Sequence, residues 1–441
     1  MSTSLVFKGP AFTDGKLRRV GVRVENGIIA DVTEGDPGRA DQTIELGPRQ
    51  VLLPAALDLL CGMRDWIAAP KETVETATKA ALAGGVTVIG DQSNPVPRLN
   101  TVARIRERAQ LAAERAYSDF GIAGFPPLEL SDIDHYREAG AYCVGLYSFN
   151  LRQWRVPRDL DDSTAIFRRY AQAGMPGWIV VDEHAFQETP LQEVGETYAL
   201  NALVRRLDPS FRVRVQVTKP SSVETLLAAK DRLPNLMIQA AHHAMCIDKE
   251  SAQTKIGIAI RHHPPLRTAE EVAKMQEYAA EGKIEVFATY HAPHRMQDKF
   301  ATDPIPGELI PKGGYSAIDF AYPHFLTKLG IETTCRSFCE NPARSLGVKK
   351  GRIARGYEAD LVIFEQDAGA VEENYALAGK LQDNVWKVEP QEFFSKGKVT
   401  PFVGERLKFR VMKTFLRGEE AFDRATLTHH RRQVRRIECP A

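Results

Sequence analysis

Over the first fifty residues apolar and polar positions alternate in short runs separated by turn residues: "SLVFKG", "VGVRVENGIIADV" and "TIEL". A period of two predicts strands, and "ENG" between two apolar runs predicts a tight hairpin. From residue 51 the pattern changes. "VLLPAALDLL" is nearly all apolar, as a strand buried on both faces requires, and helical and buried-strand patterns then alternate. "ETVETATKAALAGG" precedes "VTVIGD", "SDIDHYREAG" precedes "AYCVGLYSF", and "TAIFRRYAQAG" precedes "WIVVDEH". The pairing recurs in "ETYALNALVRRLD" with "RVRVQVT", "SVETLLAAKDR" with "LMIQAA", and "EEVAKMQEYAAEG" with "IEVFATYHAP". So many units predict an α/β fold, a (β/α)8 TIM-like barrel.

After "NPARSLGV" strand patterns return in "GRIARGYEADLVIFEQD" and "GKVTPFVGERLKFRVMKTFLRGEEAFD". Strands at both ends predict one small β-sandwich built jointly by residues 1–54 and 348–424, around a barrel of 55–347. Residues 425–441 form a tail, whose basic "HHRRQVRR" reads as a solvated charge run.

Composition refines this picture without redirecting it. The chain has 441 residues, 43% hydrophobic and 26% charged, with a net charge of +1, so no global field favours nucleic acid or an anionic membrane. The N-terminus lacks a charged segment followed by an apolar one, and no run approaches a membrane span, so the expected setting is the cytoplasm. Six cysteines without C-x-x-C pairs suit a reducing compartment; Cys335 and Cys339, one helical turn apart, read as core packing.

Several segments in order resemble the cyclic amidohydrolase superfamily, and most of all the dihydroorotases: "GVRVENGIIADV", "VLLPAALDLLCGMRD", "AALAGGVTVIGDQSNPVP", "RHHPPLRTAEEV", "EVFATYHAPH", "NPARSLGVKKGRIARGYEADLVIF" and "KVTPFVGERLKFRVMKTFLRG". The resemblance implies one or two zinc ions at the C-terminal end of the barrel, where they would polarise an amide carbonyl and lower the pKa of a bound water. It also implies the ligands: an H-x-H pair on strand 1, a carboxylated lysine or aspartate on strand 4, two later histidines, and a strand-8 aspartate that doubles as base. Here the pair falls on Leu60 and Gly62, which offer no lone pair to a metal. Val144 to Asn150 contains no strand-4 ligand; the first later histidine falls near Asp182, with His184 two residues on; the second falls on Gln216, and the aspartate on Tyr290. The expectation is therefore a chain without a cofactor, similar to the non-catalytic dihydroorotases that lack these ligands. Such proteins imply a structural or regulatory role beside aspartate carbamoyltransferase in pyrimidine biosynthesis, and a homodimer.

Candidate ligand-binding residues survive around that position. Arg64 matches the family arginine that grips a substrate carboxylate, a task suited to a guanidinium. Gln92 or Asn94 takes the strand-2 asparagine position, His263 stands for the asparagine of N-P-P-L-R, and Arg267, His291 and His294 keep their family places. Together they leave room for a small anionic ligand. The alternative is a hydrolase or related enzyme acting on a cyclic amide through an altered or metal-free site, with His184, Gln216, His263 and Tyr290 as working residues. A third reading is a ligand-binding sensor. The pairs His242-His243 and His262-His263 invite a rebuilt metal site, with His184, His263 and His291 as candidates. Neighbours on a strand face opposite ways, however, so hydrogen-bonded histidines are the plainer expectation.

Overall fold

The computed structural model describes residues 4–93, 95–127, 129–147, 163–181, 191–253, 264–300, 313–370 and 386–438. Five strands open the chain: β1 (Ser4–Thr13), β2 (Lys16–Glu25), β3 (Ile28–Thr33), β4 (Gln42–Glu45) and β5 (Gln50–Pro54). The predicted hairpin joins β2 to β3, with Glu25 opposite Ile28 and both Asn26 and Gly27 at positive φ (50° and 79°), as a two-residue turn of this hand requires.

Eight parallel strands follow: β6 (Ala56–Cys61), β7 (Val86–Asp91), β8 (Asp119–Gly124), β9 (Ala141–Tyr147), β10 (Gly177–Val180), β11 (Val213–Val217), β12 (Leu236–Ala241) and β13 (Val286–Ala288), paired in sequence order. Helices cover them on the outside and are capped as their sequences suggest. Thr73 and Thr76 form a reciprocal cap on the helix Val74–Ala83, and Thr268 and Glu271 do the same on Ala269–Ala280. Asp58 of β6 draws the last strand to the first, accepting from the Thr289 backbone N–H at 3.1 Å and from the Thr289 hydroxyl. The Gly62 N–H donates to the His291 carbonyl at 2.8 Å, continuing the same seam. The barrel is nearly closed, as the strand–helix rhythm predicts.

The chain ends in β14 (Leu361–Gln366), β15 (Trp386–Lys387), β16 (Arg406–Leu407), β17 (Phe409–Leu416), β18 (Glu419–Asp423) and β19 (Thr428–His429). β14 pairs antiparallel with β5, so strands from both ends of the chain share one nine-stranded sheet. The basic tail does not run free in solvent. Phe120 donates to the Arg435 carbonyl at 3.1 Å and Ile437 to the Phe120 carbonyl at 2.7 Å, laying the tail beside the start of β8. Asp119, buried there, accepts from the Arg435 N–H (2.8 Å) and pairs with Lys350 (3.1 Å) and Arg417 (2.7 Å). Charges tie the tail down because a buried carboxylate needs compensating partners.

Large side chains fill the barrel interior. Tyr142 and Trp178 are fully buried, and glycines on neighbouring strands make room for them. A Cβ on Gly121 would meet Tyr142 at 2.6 Å, and one on Gly145 would meet Trp178 at 2.1 Å. Cys335 and Cys339 are buried beside the Tyr322 hydroxyl (3.6 and 3.3 Å), in the core as expected, on a π-helix, Cys335–Glu340.

Candidate functional site

Leu60, at the end of β6, belongs to an apolar cluster with Tyr142, Tyr147, Trp178, Val180 and Tyr290, whereas Cys61 packs in the larger cluster outside the lumen. Gly62 follows. A Cβ there would lie 3.0 Å from the His291 carbonyl oxygen, closer than a relaxed contact, and 3.4 Å from Arg64 Nε, an ordinary contact, so a side chain at this position would enter a tight space. Gln216 of β11 is fully buried and its amide oxygen accepts from Gln239 at 2.8 Å. Tyr290 is buried, held at φ 54°, with its ring 6.1 Å from that of His243. These four positions lie in and around a packed interior.

The candidate binding residues divide into two groups. Arg267 and His291 are engaged within the protein. Arg267 pairs with Glu196 (2.5 Å) and donates to Thr218, which anchors the segment after residue 263 to β11 and not to a ligand. His291 Nδ1 accepts from the Ala317 N–H at 3.0 Å, which places the ring hydrogen on Nε2, facing the buried Glu72 carboxylate at 3.6 Å. A histidine fixed in this way positions the strand-8 loop. Arg64, Gln92 and His294 belong to the mouth. Arg64 is half-buried at φ 49°, and its Nε has no hydrogen-bond partner among the described residues. Gln92 is buried, and its amide nitrogen has no such partner either. His294 contacts the Gly313 carbonyl through Nε2 at 3.1 Å. Asn94, His184 and His263 lie outside the described residues, as does Asp182.

Two lysines join the mouth without having been singled out by the sequence. Burial, with the Arg64 charge next, brings Lys71 down to about 8. Burial, with Lys71 next, brings Lys299 down to about 7. Arg64, Lys71 and Lys299 thus form a crowded cationic group, relieved on one side by Asp298. Each lysine stands alone in a polar stretch, so no spacing marked it.

The expectation of a chain without a metal is corrected. Among the described residues His242, Cys246 and His324 bring one donor atom each to within 4.8 Å of one another, all three buried. They lie where β12 gives way to the short helix His243–Cys246, which packs against Ala321–Thr334. The pair His242-His243 does not lie on a strand, because the chain turns into a helix at this point, yet only His242 of the two joins the cluster, and it is hydrogen-bonded to Tyr315 and His324. Burial, then the Arg267 charge, brings His243 down to about 3.

Residues 231–420 match the model of the Amidohydrolase family. Over 427 residues the chain is 26% identical to the dihydroorotase of Thermococcus kodakarensis, covering 94% of this chain and 93% of that protein. It is 27% identical to the dihydroorotase of Bacillus caldolyticus, covering 92% and 95% respectively. Among solved structures, the L-hydantoinase (dihydropyrimidinase) of Arthrobacter aurescens superposes with a TM-score of 0.84 at 20% identity, over 99% of this chain and 100% of that one. That likeness establishes the architecture, a TIM barrel carrying a β-sandwich domain. Among the described residues no helix is long and apolar enough to cross a membrane.

Proposed function

Because this chain is a dihydroorotase-like member of the cyclic amidohydrolase superfamily, we propose that it keeps the superfamily's shape without using metal-bound water at the barrel mouth. Its role is then that of a structural or regulatory partner of another enzyme in the cytoplasm, and aspartate carbamoyltransferase is the partner the resemblance implies. The observation that carries this reading is the seam between the first and last barrel strands. The His291 carbonyl and the Arg64 guanidinium crowd the space beyond Gly62, and Leu60 is fully buried in the apolar cluster that also holds Tyr142, Tyr147 and Trp178. Leucine and glycine side chains donate nothing to a metal, and the Gln216 amide oxygen is held by Gln239. The residues at the family's metal position therefore do not fit a zinc shell.

A second reading, a hydrolase acting on a cyclic amide through other groups, is favoured by Arg64 and its cationic neighbours. A guanidinium with an unbonded Nε near Lys71, which itself neighbours Lys299, is suited to a small carboxylate, as a substrate or as a regulator.

Mixing the purified chain with the aspartate carbamoyltransferase of the same organism, followed by light scattering after gel filtration, tests the partner role. The expected result is a joint assembly with a mass above that of either protein. Separate elution at unchanged masses removes that partner, and the mass of the free chain reads the proposed homodimer.

A further inference from the structure

We propose that His242, Cys246 and His324 form a binding site for a soft d10 metal ion, separate from the barrel-mouth position, and that copper(I) is the ion it suits best. The three donors converge from two packed elements. His242 directly follows β12, Cys246 lies one turn further on at the end of His243–Cys246, and His324 sits in the first turn of Ala321–Thr334. His242 Nε2 and His324 Nδ1 are 3.0 Å apart, and the Tyr315 hydroxyl bonds His242 Nδ1 at 3.0 Å, fixing the ring's orientation. Such an outer partner is what a metal-bound imidazole requires. Opening the two nitrogens by a few tenths of an ångström would set both at a metal–nitrogen distance of about 2.0 Å.

The surroundings select the ion. The rings of Phe320, Phe325 and Phe402 lie 5.6, 5.0 and 4.7 Å from that of His242, so the site is dry and polarisable. Its charged neighbours, Lys328 and Glu405, pair with each other at 3.6 Å and cancel. A single thiolate neutralises copper(I), whereas zinc(II) would leave an uncompensated positive charge in an apolar shell. Three donors suffice for copper(I), while zinc takes a fourth. On binding, the Cys246 S–H bond breaks, the sulfur–metal bond forms and the proton leaves to solvent, with no change of oxidation state. The hydrogen between the two imidazoles moves to the far nitrogen of one ring: His242 Nδ1, where the Tyr315 oxygen accepts it, or His324 Nε2.

The test uses the full, untagged chain, loaded anaerobically with copper(I) or with zinc(II) and then dialysed. Metal content is measured alongside X-ray absorption at the metal edge. About one copper ion per chain is expected, bound by one sulfur and two nitrogens, with affinity weakened about tenfold or more in Cys246→Ser and in His324→Gln. Metal absent from the wild type, held without a sulfur contact, or retained equally by the variants overturns the site. Zinc bound through the same residues in preference to copper overturns the choice of ion and supports the site. Should either variant fail to fold, the sulfur contact in the wild-type spectrum decides.

Discussion

A methyl group at position 62 would meet the His291 carbonyl oxygen at 3.0 Å, where the Gly62 N–H already bonds that same carbonyl at 2.8 Å. The close neighbour is backbone, tied by that bond, so it has little room to give, while Arg64 lies at ordinary contact distance. Gly62→Ala should therefore cost about 1–2 kcal/mol of stability, read as a lower urea midpoint at unchanged slope. An unchanged midpoint would mean that the seam yields easily, removing the main support for a closed mouth. At this scale the sequence is informative about what a side chain cannot do. Leu60 and Gly62 show in the linear text that their side chains carry no donor atom. It is much less informative about partners. Arg267 reads as a binding residue until Glu196, far away in the chain, is seen beside it. Cys246 and His324 gain meaning only because a helix brings them together.

Period and run length mark seven of the eight barrel strands, and the missing one is β8, Asp119–Gly124. Its text, "DFGIAG", carries a charge and two glycines, so it lacks the apolar run of its neighbours. The reasons are tertiary: Asp119 is matched by Lys350 and Arg417, and Gly121 makes way for Tyr142. The tail's docking is hidden for the same reason, since its basic residues look solvated until Asp119 and Glu358 are placed against them. β19 is fastened by His429, whose Nε2 lies 2.9 Å from the Lys79 carbonyl and whose ring meets Phe394 and Phe422 at 4.5 and 4.8 Å. Burial brings His429 down to about 4, below the roughly 6.5 of an unfolded chain. The unfolded state therefore binds the extra proton first. This contribution is intact above about pH 6.5 and is lost as pH falls towards 4. Since the ring is partly exposed, the loss should be about 1–2 kcal/mol. His429→Phe, which keeps the aromatic contacts, should flatten the fall in melting temperature over that range. Equal slopes in the two proteins would place the acid sensitivity elsewhere.

The whole molecule combines a familiar frame with an unusual interior. Its shape, a nearly closed barrel with a sheet shared by both ends of the chain, is that of the hydantoinases it superposes on. That much was legible because hydrophobic periodicity, segment order and a handful of motifs all point to one architecture. The chemistry was legible only as a disagreement between motif frames and their contents. What is buried in the interior, Tyr142, Trp178 and the hydrogen-bonded Gln216–Gln239 pair among them, required the structure. The central claim is that this interior leaves no place for metal-bound water to attack an amide. The most direct test is hydrolysis of dihydroorotate, hydantoin and dihydrouracil by the purified full chain, with zinc, manganese or cobalt supplied, followed by loss of the ring's ultraviolet absorbance. The account predicts no turnover above the protein-free rate with any metal. Turnover that scales with protein concentration and vanishes with a chelator would contradict it and return the mouth to the hydrolases.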